Sequence, residues 1–197
     1  ADGLAIKRAW RPACFQAAFA LKEMSKHYIG LDPGKSGGFV RISDEGVEAC
    51  PTPTIGDEIS LSGVKDWLVS CLARTGRENI LVGIEDVHSI FGSSAGSNFQ
   101  FGRALGMLEG CVAALEIPFV KVAPKTWQKV AHVGIPVIRK PGKDGKLGGV
   151  DTKAMAALAA ERLYPGLDLR GSDRAKKAHD GIVDALLIAH YLKTQNL

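Results

Sequence analysis

The sequence contains no apolar run approaching the eighteen or so residues of a membrane-spanning helix, so no such span is expected and a membrane is not among the expected partners. Cysteine is sparse and scattered. Cys14, Cys50, Cys71 and Cys111 form neither a Cys-x-x-Cys pair nor a Cys/His zinc spacing, which excludes a zinc module and points to reduced, mostly buried thiols in a reducing compartment. The Walker pattern Gly-x-x-x-x-Gly-Lys-Ser is also missing, which excludes a P-loop nucleotidase. A cytoplasmic setting is expected, nucleoid-associated or phage-encoded in a host cell, with an organelle as the alternative.

What is present is a chain of 197 residues, 46% hydrophobic and 23% charged, enough for one globular domain with a sizeable core. The net charge of +4 hides an uneven distribution. Between Lys121 and Lys177 thirteen Lys/Arg face five Asp/Glu, while the remainder is net acidic. Such asymmetry predicts one side that meets a polyanion.

Residues 1–23 look foreign to the rest. Their apolar and basic stretches (Leu4 to Ile6, Ala17 to Leu21, with Lys7, Arg8 and Arg11) run into no helix or strand pattern, and Met24-Ser25-Lys26 reads as an initiation site. We expect a non-native or disordered extension, with a targeting leader or an ordinary helix as alternatives, and a domain spanning 24–197.

Extended patterns at His27 to Asp32, Phe39 to Ile42 and Val47 to Cys50, separated by Asp-Pro-Gly-Lys-Ser-Gly-Gly and Ser-Asp-Glu-Gly turn signals, predict a three-strand meander. Pro51 to Gly56 reads as loop, and Ile59 to Thr75 carries apolar residues at helical spacing. Asn79 to Val87 is apolar along its length, as a central strand covered on both faces would be. A Gly/Ser loop (Ser89 to Ser97), a helix (Asn98 to Leu115), a strand (Ile117 to Val122) and a short helix opened by Pro124 follow. Gly134 to Gly149 is a basic loop, Asp151 caps a helix to Leu163, and an acidic helix closes the chain. The order β-β-β-α-β-α-β-α-α-α implies an α/β domain with a mixed five-stranded sheet and helices on both faces, the pattern of the ribonuclease H-like fold.

Acids fall at the end of the first strand (Asp32), at the end of the fourth (Glu85, beside Asp86) and on the last helix (Asp180, Asp184). Asp180 and Asp184 are four apart, so a helix puts both on one face together with Leu187 and Tyr191. Two like charges in line with apolar residues need a cation or strong donors if they are buried, or simply solvent if the opening turn is exposed. Strand ends of such sheets collect sites, and carboxylates alone suit hard divalent cations. Glu85 and Asp86 alternate across the strand, so only one of them can reach such a site.

Five motifs in order carry a resemblance: Ile29-Gly30-Leu31-Asp32-Pro33-Gly34, Ile84-Glu85-Asp86-Val87, Phe101-Gly102-Arg103-Ala104-Leu105-Gly106, Pro124-Lys125-Thr126-Trp127 with Lys129, and His179-Asp180 with Asp184-Ala185-Leu186-Leu187. Over residues 27 to 193 the chain resembles the RuvC-like Holliday junction resolvases, including phage and plant chloroplast members. The resemblance implies a homodimer that cuts four-way DNA junctions in pairs with Mg²⁺ or Mn²⁺, two ions per site, held by Asp32, Glu85, Asp180 and Asp184. Some members have His at the first helix position, so His179 either joins in catalysis, as ligand or in proton transfer, or caps the helix. The family often has Gln where this chain has Asp86.

DNA contacts are expected from Lys125, Lys129, Arg139, Lys140, Lys143 and Lys146 on the basic stretch, and from Lys176 and Lys177 beside the acids. Each group can instead be a solvated loop or turn. His88 and Phe91 follow the fourth-strand acid and either stack on an unpaired base or, for the phenylalanine, fold back onto the core. The row Gly102, Gly106, Gly110 permits close helix approach, to a symmetry mate with Phe99 and Met107 as apolar contacts or to the chain's own sheet. A YqgF-type or less selective flap nuclease of the same fold is the main alternative function. A non-catalytic junction-binding module and an actin-like ATPase are the others. The latter's phosphate turn is similar to Asp-Pro-Gly-Lys-Ser-Gly-Gly, but its core occurs twice and no second copy is present here.

Overall fold

A computed structural model describes residues 26–86, 94–142 and 146–197. The extension read at 1–23, the stacking residues His88 and Phe91, and Lys143 lie outside the described residues. The meander forms as read: β1 (His27–Asp32), β2 (Gly38–Ser43) and β3 (Gly46–Pro51) pair antiparallel. A two-residue hairpin follows, β4 (Thr54–Ile55) and β5 (Glu58–Ile59), where the sequence reads as loop up to Gly56. Gly56 sits at φ 58°, the left-handed conformation that lets so short a reversal close.

Ser60 ends that hairpin and caps α1 (Leu61–Thr75) by accepting a 3.1 Å hydrogen bond from the Gly63 amide. The central strand β6 (Ile80–Glu85) pairs parallel with β1 and with β7 (Phe119–Val122), giving the sheet order β3-β2-β1-β6-β7. Between β6 and β7 lies α2 (Ala95–Ala114). It starts three residues earlier than the apolar pattern indicates, because Ser94 accepts from the Ser97 amide and caps it. Then come α3 (Pro124–Ala131), α4 (Thr152–Leu163) and α5 (Asp180–Gln195). The expected basic loop carries a second hairpin, β8 (Arg139–Pro141) with β9 (Leu147–Val150), which pairing across distance rather than local apolar period produces.

Alternation along β1 and β2 splits the core. Ile29, Leu31 and Phe39 face α1 and α2, whereas Tyr28, Val40 and Ile42 face the layer of α3, α4 and α5. Each fully buried aliphatic of these layers contributes roughly 1.5–3 kcal/mol. The three described cysteines are free; Cys71 is buried and Cys50 and Cys111 are half-buried, so burial is less complete than expected.

Two glycine contacts bring α5 onto the sheet. A Cβ on Gly30 would lie 1.9 Å from the Ala185 carbonyl oxygen, and one on Gly38 would lie 2.6 Å from the Gly181 carbonyl oxygen. The helix backbone therefore rests directly on β1 and β2, which places its first turns against the C-terminal end of β1.

Candidate metal and nucleic-acid site

Asp32 ends β1, Glu85 ends the neighbouring parallel strand β6, and Asp184 faces them from the second turn of α5. Burial first, then repulsion by Glu85 and Asp184, pushes the Asp32 carboxyl well above the usual range, with Lys153 pulling the other way. Burial likewise raises Glu85. Asp184 is raised to about 7 by burial, then by Glu85 and Asp180, again opposed by Lys153. The Asp32 and Glu85 carboxyls also interact directly, which raises the first and lowers the second. Glu85 is held from the other side by Trp127, whose Nε1 donates to Oε1 at 3.0 Å.

Above these acids opens a cleft of about 630 Å³, lined among others by Asp32, Lys35, Phe101, Lys153, Asp180 and Asp184. Glu85 lies beneath it, 9% exposed. Asp180 stands at the mouth and is paired with Lys153 Nζ at 2.5 Å. It shares a helix face with Asp184, as the four-residue spacing requires. Asp86 leaves the group: its amide donates to the Val122 carbonyl and its carboxylate lies 3.5 Å from Lys121.

His179 is the N-cap of α5. Its Nδ1 accepts from the Ile182 amide at 3.4 Å and its own amide donates to the Leu169 carbonyl, so the ring caps the helix that carries the acids. It also lines the cleft.

The donor set fits a hard divalent cation in its chemistry: oxygen donors only, gathered from the buried Glu85 through the half-buried Asp32 and Asp184 to the exposed Asp180, and repelling one another. In their present arrangement, no group of three or more His, Cys, Asp or Glu side chains among the described residues is poised to hold a metal ion. In this arrangement Glu85 is engaged by Trp127 and Asp180 by Lys153.

The predicted DNA-binding cations are placed differently from the acids. Lys125 and Lys129 are exposed on α3, Arg139, Lys140 and Lys146 are exposed on the β8–β9 hairpin, and Lys176 and Lys177 are exposed in the turn before α5. None of these lines the cleft. The cations that do are Lys35, from the turn after β1, and Lys153, from the first turn of α4. Lys153 was not separable in sequence from the lysines around it. Trp127 was: a buried indole needs an acceptor for its N–H, and an acidic cluster on the neighbouring strand is a natural one. Phe101 lies in a motif but shows its place at the cleft only in the fold.

The glycine row of α2 does not serve the chain's own sheet. Cβ atoms at Gly102, Gly106 and Gly110 would each meet open space, and Phe99 beside them is 69% exposed. Met107 departs from the expectation that it joins this face; it turns a quarter of the helix away, into a groove against β5.

No family model matches the chain, and no curated protein matches it. Among solved structures it is similar to Thermus thermophilus RuvC, with 19% identity, 86% of this chain and 96% of that chain covered, and a TM-score of 0.51. It is equally similar to T. thermophilus RuvC in complex with a Holliday junction substrate, with 19% identity, 87% and 94% covered, and a TM-score of 0.51. A weaker likeness, at 15% identity, 83% and 75% covered and a TM-score of 0.41, is to the yeast mitochondrial Holliday junction resolvase. The likeness to the two Thermus structures establishes the fold: a mixed five-stranded, ribonuclease H-like α/β sheet with helices on both faces.

Proposed function

We propose that this chain is a metal-dependent endonuclease that hydrolyses phosphodiesters in branched DNA, with the four-way junction as its substrate. The observation that carries the reading is the meeting of Asp32, Glu85 and Asp184 beneath an open cleft, all three held above the ordinary carboxylate range by burial. Such a cluster burdens the folded chain and favours a cation at the same place. The fold supports DNA as ligand, since a RuvC structure contains a Holliday junction substrate.

Asp32, Glu85 and Asp184, with Asp180 at the mouth, are the residues that would hold Mg²⁺ or Mn²⁺, ions that when bound supply charge to activate a water and to stabilise a departing 3′ oxygen. The chain's own residues do the rest. Trp127 fixes one oxygen of Glu85, leaving the other for the cluster. Lys153 lowers the proton affinity of Asp32 and Asp184 and offers an ammonium on the cleft wall to a phosphate oxygen. The exposed cations of α3, of the β8–β9 hairpin and of the turn at Lys176 and Lys177 supply salt-sensitive backbone contacts further out.

Paired cutting of a four-way junction calls for two sites related by a two-fold axis, and a closed pair is the commonest way to supply them. The open glycine row of α2, with exposed Phe99, is the face through which two copies of this chain would meet.

The experiment is a comparison of a four-way junction, a flap and a linear duplex of the same sequence, each with Mg²⁺ and with a chelator. Metal-dependent cutting confined to the junction is expected. Cutting of flap and junction alike would assign the chain to the less selective nucleases of this fold, and binding without cutting would overturn the enzymatic reading.

A further inference from the structure

A second cavity, of about 320 Å³, lies beside the acidic cleft, between α2 and the β4–β5 hairpin. The two spaces adjoin, with Gly34, Lys35 and Phe101 lining both. Its floor is apolar, built from Ile59, Phe101, Ala104 and Met107, and its lip carries Gln100 and Arg103. Two ion pairs cross its walls. Lys35 pairs with Asp57, and Arg103 pairs with Glu58 at 2.6 Å, so the hairpin is tied to the turn after β1 on one side and to α2 on the other.

Each of these features selects a class of occupant. A volume at the low end for small-molecule sites admits one flat ring system rather than a helix or a duplex. An aromatic ring on the floor suits a π-face, and an amide and a guanidinium at the lip suit the donor and acceptor edge of a base. The charges of Asp57 and Glu58 are already matched by Lys35 and Arg103, so the groove does not repel a strand whose phosphate lies at the acids. The groove meets the acidic cleft at Gly34, Lys35 and Phe101, so it is within reach of a nucleotide neighbouring one bound there.

We propose that this groove is a nucleobase subsite: a base of the strand being cut, adjacent to the scissile phosphate, unstacks and inserts between α2 and the β4–β5 hairpin, with Phe101 and Met107 against its face and Gln100 and Arg103 at its edge. This inference rests on the nuclease reading above. Unstacking costs least where pairing is already interrupted, so the subsite also favours branch points over plain duplex. It gives the enzyme a preference for the base at one position.

The test is a two-way cycle on the full chain. Junctions carry an abasic residue at one position at a time around the cut, and each is compared with the intact junction for the wild type and for Met107→Trp, which fills the groove without touching the acids. At one position the wild type should lose about tenfold in kcat/KM when the base is removed, the scale of one base stacked on an aromatic side chain. Met107→Trp should show a similar loss on the intact junction and no further loss on the abasic one. If Met107→Trp fails to fold by circular dichroism, Gln100→Ala on the exposed lip takes its place, with a smaller loss that likewise vanishes on the abasic junction. Equal rates on all abasic junctions, or losses that simply multiply, would overturn the subsite while leaving the nuclease reading intact. If nothing is cut, the nuclease reading fails, and the same cycle run on metal-free junction affinity decides the subsite on its own.

Discussion

Trp127 Nε1 donates a 3.0 Å hydrogen bond to Glu85 Oε1, and both side chains lie beneath the cleft, 1% and 9% exposed. The bond opposes the burial that pushes Glu85 upward, so it keeps a carboxylate available that the interior would otherwise protonate.

Trp127→Phe keeps an aromatic ring in the core and removes the donor. Without it Glu85 holds its proton to higher pH, so the acidic limb of the pH–rate profile should move upward. The rate near neutral pH should fall about tenfold to a hundredfold, the range for a hydrogen bond to a charged group. Junction affinity should not change. Superposed profiles for the two proteins would reduce Trp127 to a packing residue.

Asp184 also links the site to stability. Its carboxyl titrates near 7 in the folded chain against an ordinary value of 3.8, so between those values the native state binds a proton that the unfolded chain does not. That contribution is complete below about pH 4 and is lost as pH rises through 7. Asp32, raised for the same reasons, acts in the same direction. Thermal melts of metal-free protein should therefore show a Tm that falls from pH 5 to pH 8. Asp184→Asn should flatten the fall and melt higher at pH 8. Mg²⁺ should raise the Tm of the unmodified chain at pH 8 and leave the variant nearly unmoved. Parallel slopes for the two proteins would remove Asp184 from the coupled cluster.

Gly106 gives a test of the pair. Open space surrounds its missing side chain, and a glycine inside a helix costs about 1 kcal/mol relative to alanine, so Gly106→Leu should leave the single chain as stable or more stable. In solution it should turn a dimer into a monomer that nicks one strand without coordinated resolution. Light scattering reads the first outcome and product analysis the second. A wild-type chain that stays monomeric at micromolar concentration with junction DNA bound would remove the pair, and paired resolution with it.

The layers of the fold were legible because the patterns that encode them are local. Alternation in His27 to Asp32 and the helical spacing of Val64, Leu68 and Cys71 each lie within one element, and Asp151 and Pro124 mark helix starts. The hairpins β4–β5 and β8–β9 were not, because strands of two to four residues leave too short a period to read. At the site, Asp32, Glu85 and Asp184 could be placed by strand ends and helix spacing. Lys153 could not, since its meeting with Asp180 depends on how α4 packs against α5. Met107, a candidate contact on the glycine face, lies about a quarter turn away on the same helix, a difference that spacing along α2 already contains.

Whether these carboxylates serve phosphodiester hydrolysis is tested most directly by one assay. An end-labelled four-way junction is incubated with Mg²⁺ and either the unmodified chain or Asp184→Asn, and cutting and gel-shift affinity are read on the same preparations. The account predicts strand cleavage by the unmodified chain, none by Asp184→Asn, and equal junction binding by both. Full cleavage by Asp184→Asn would contradict it.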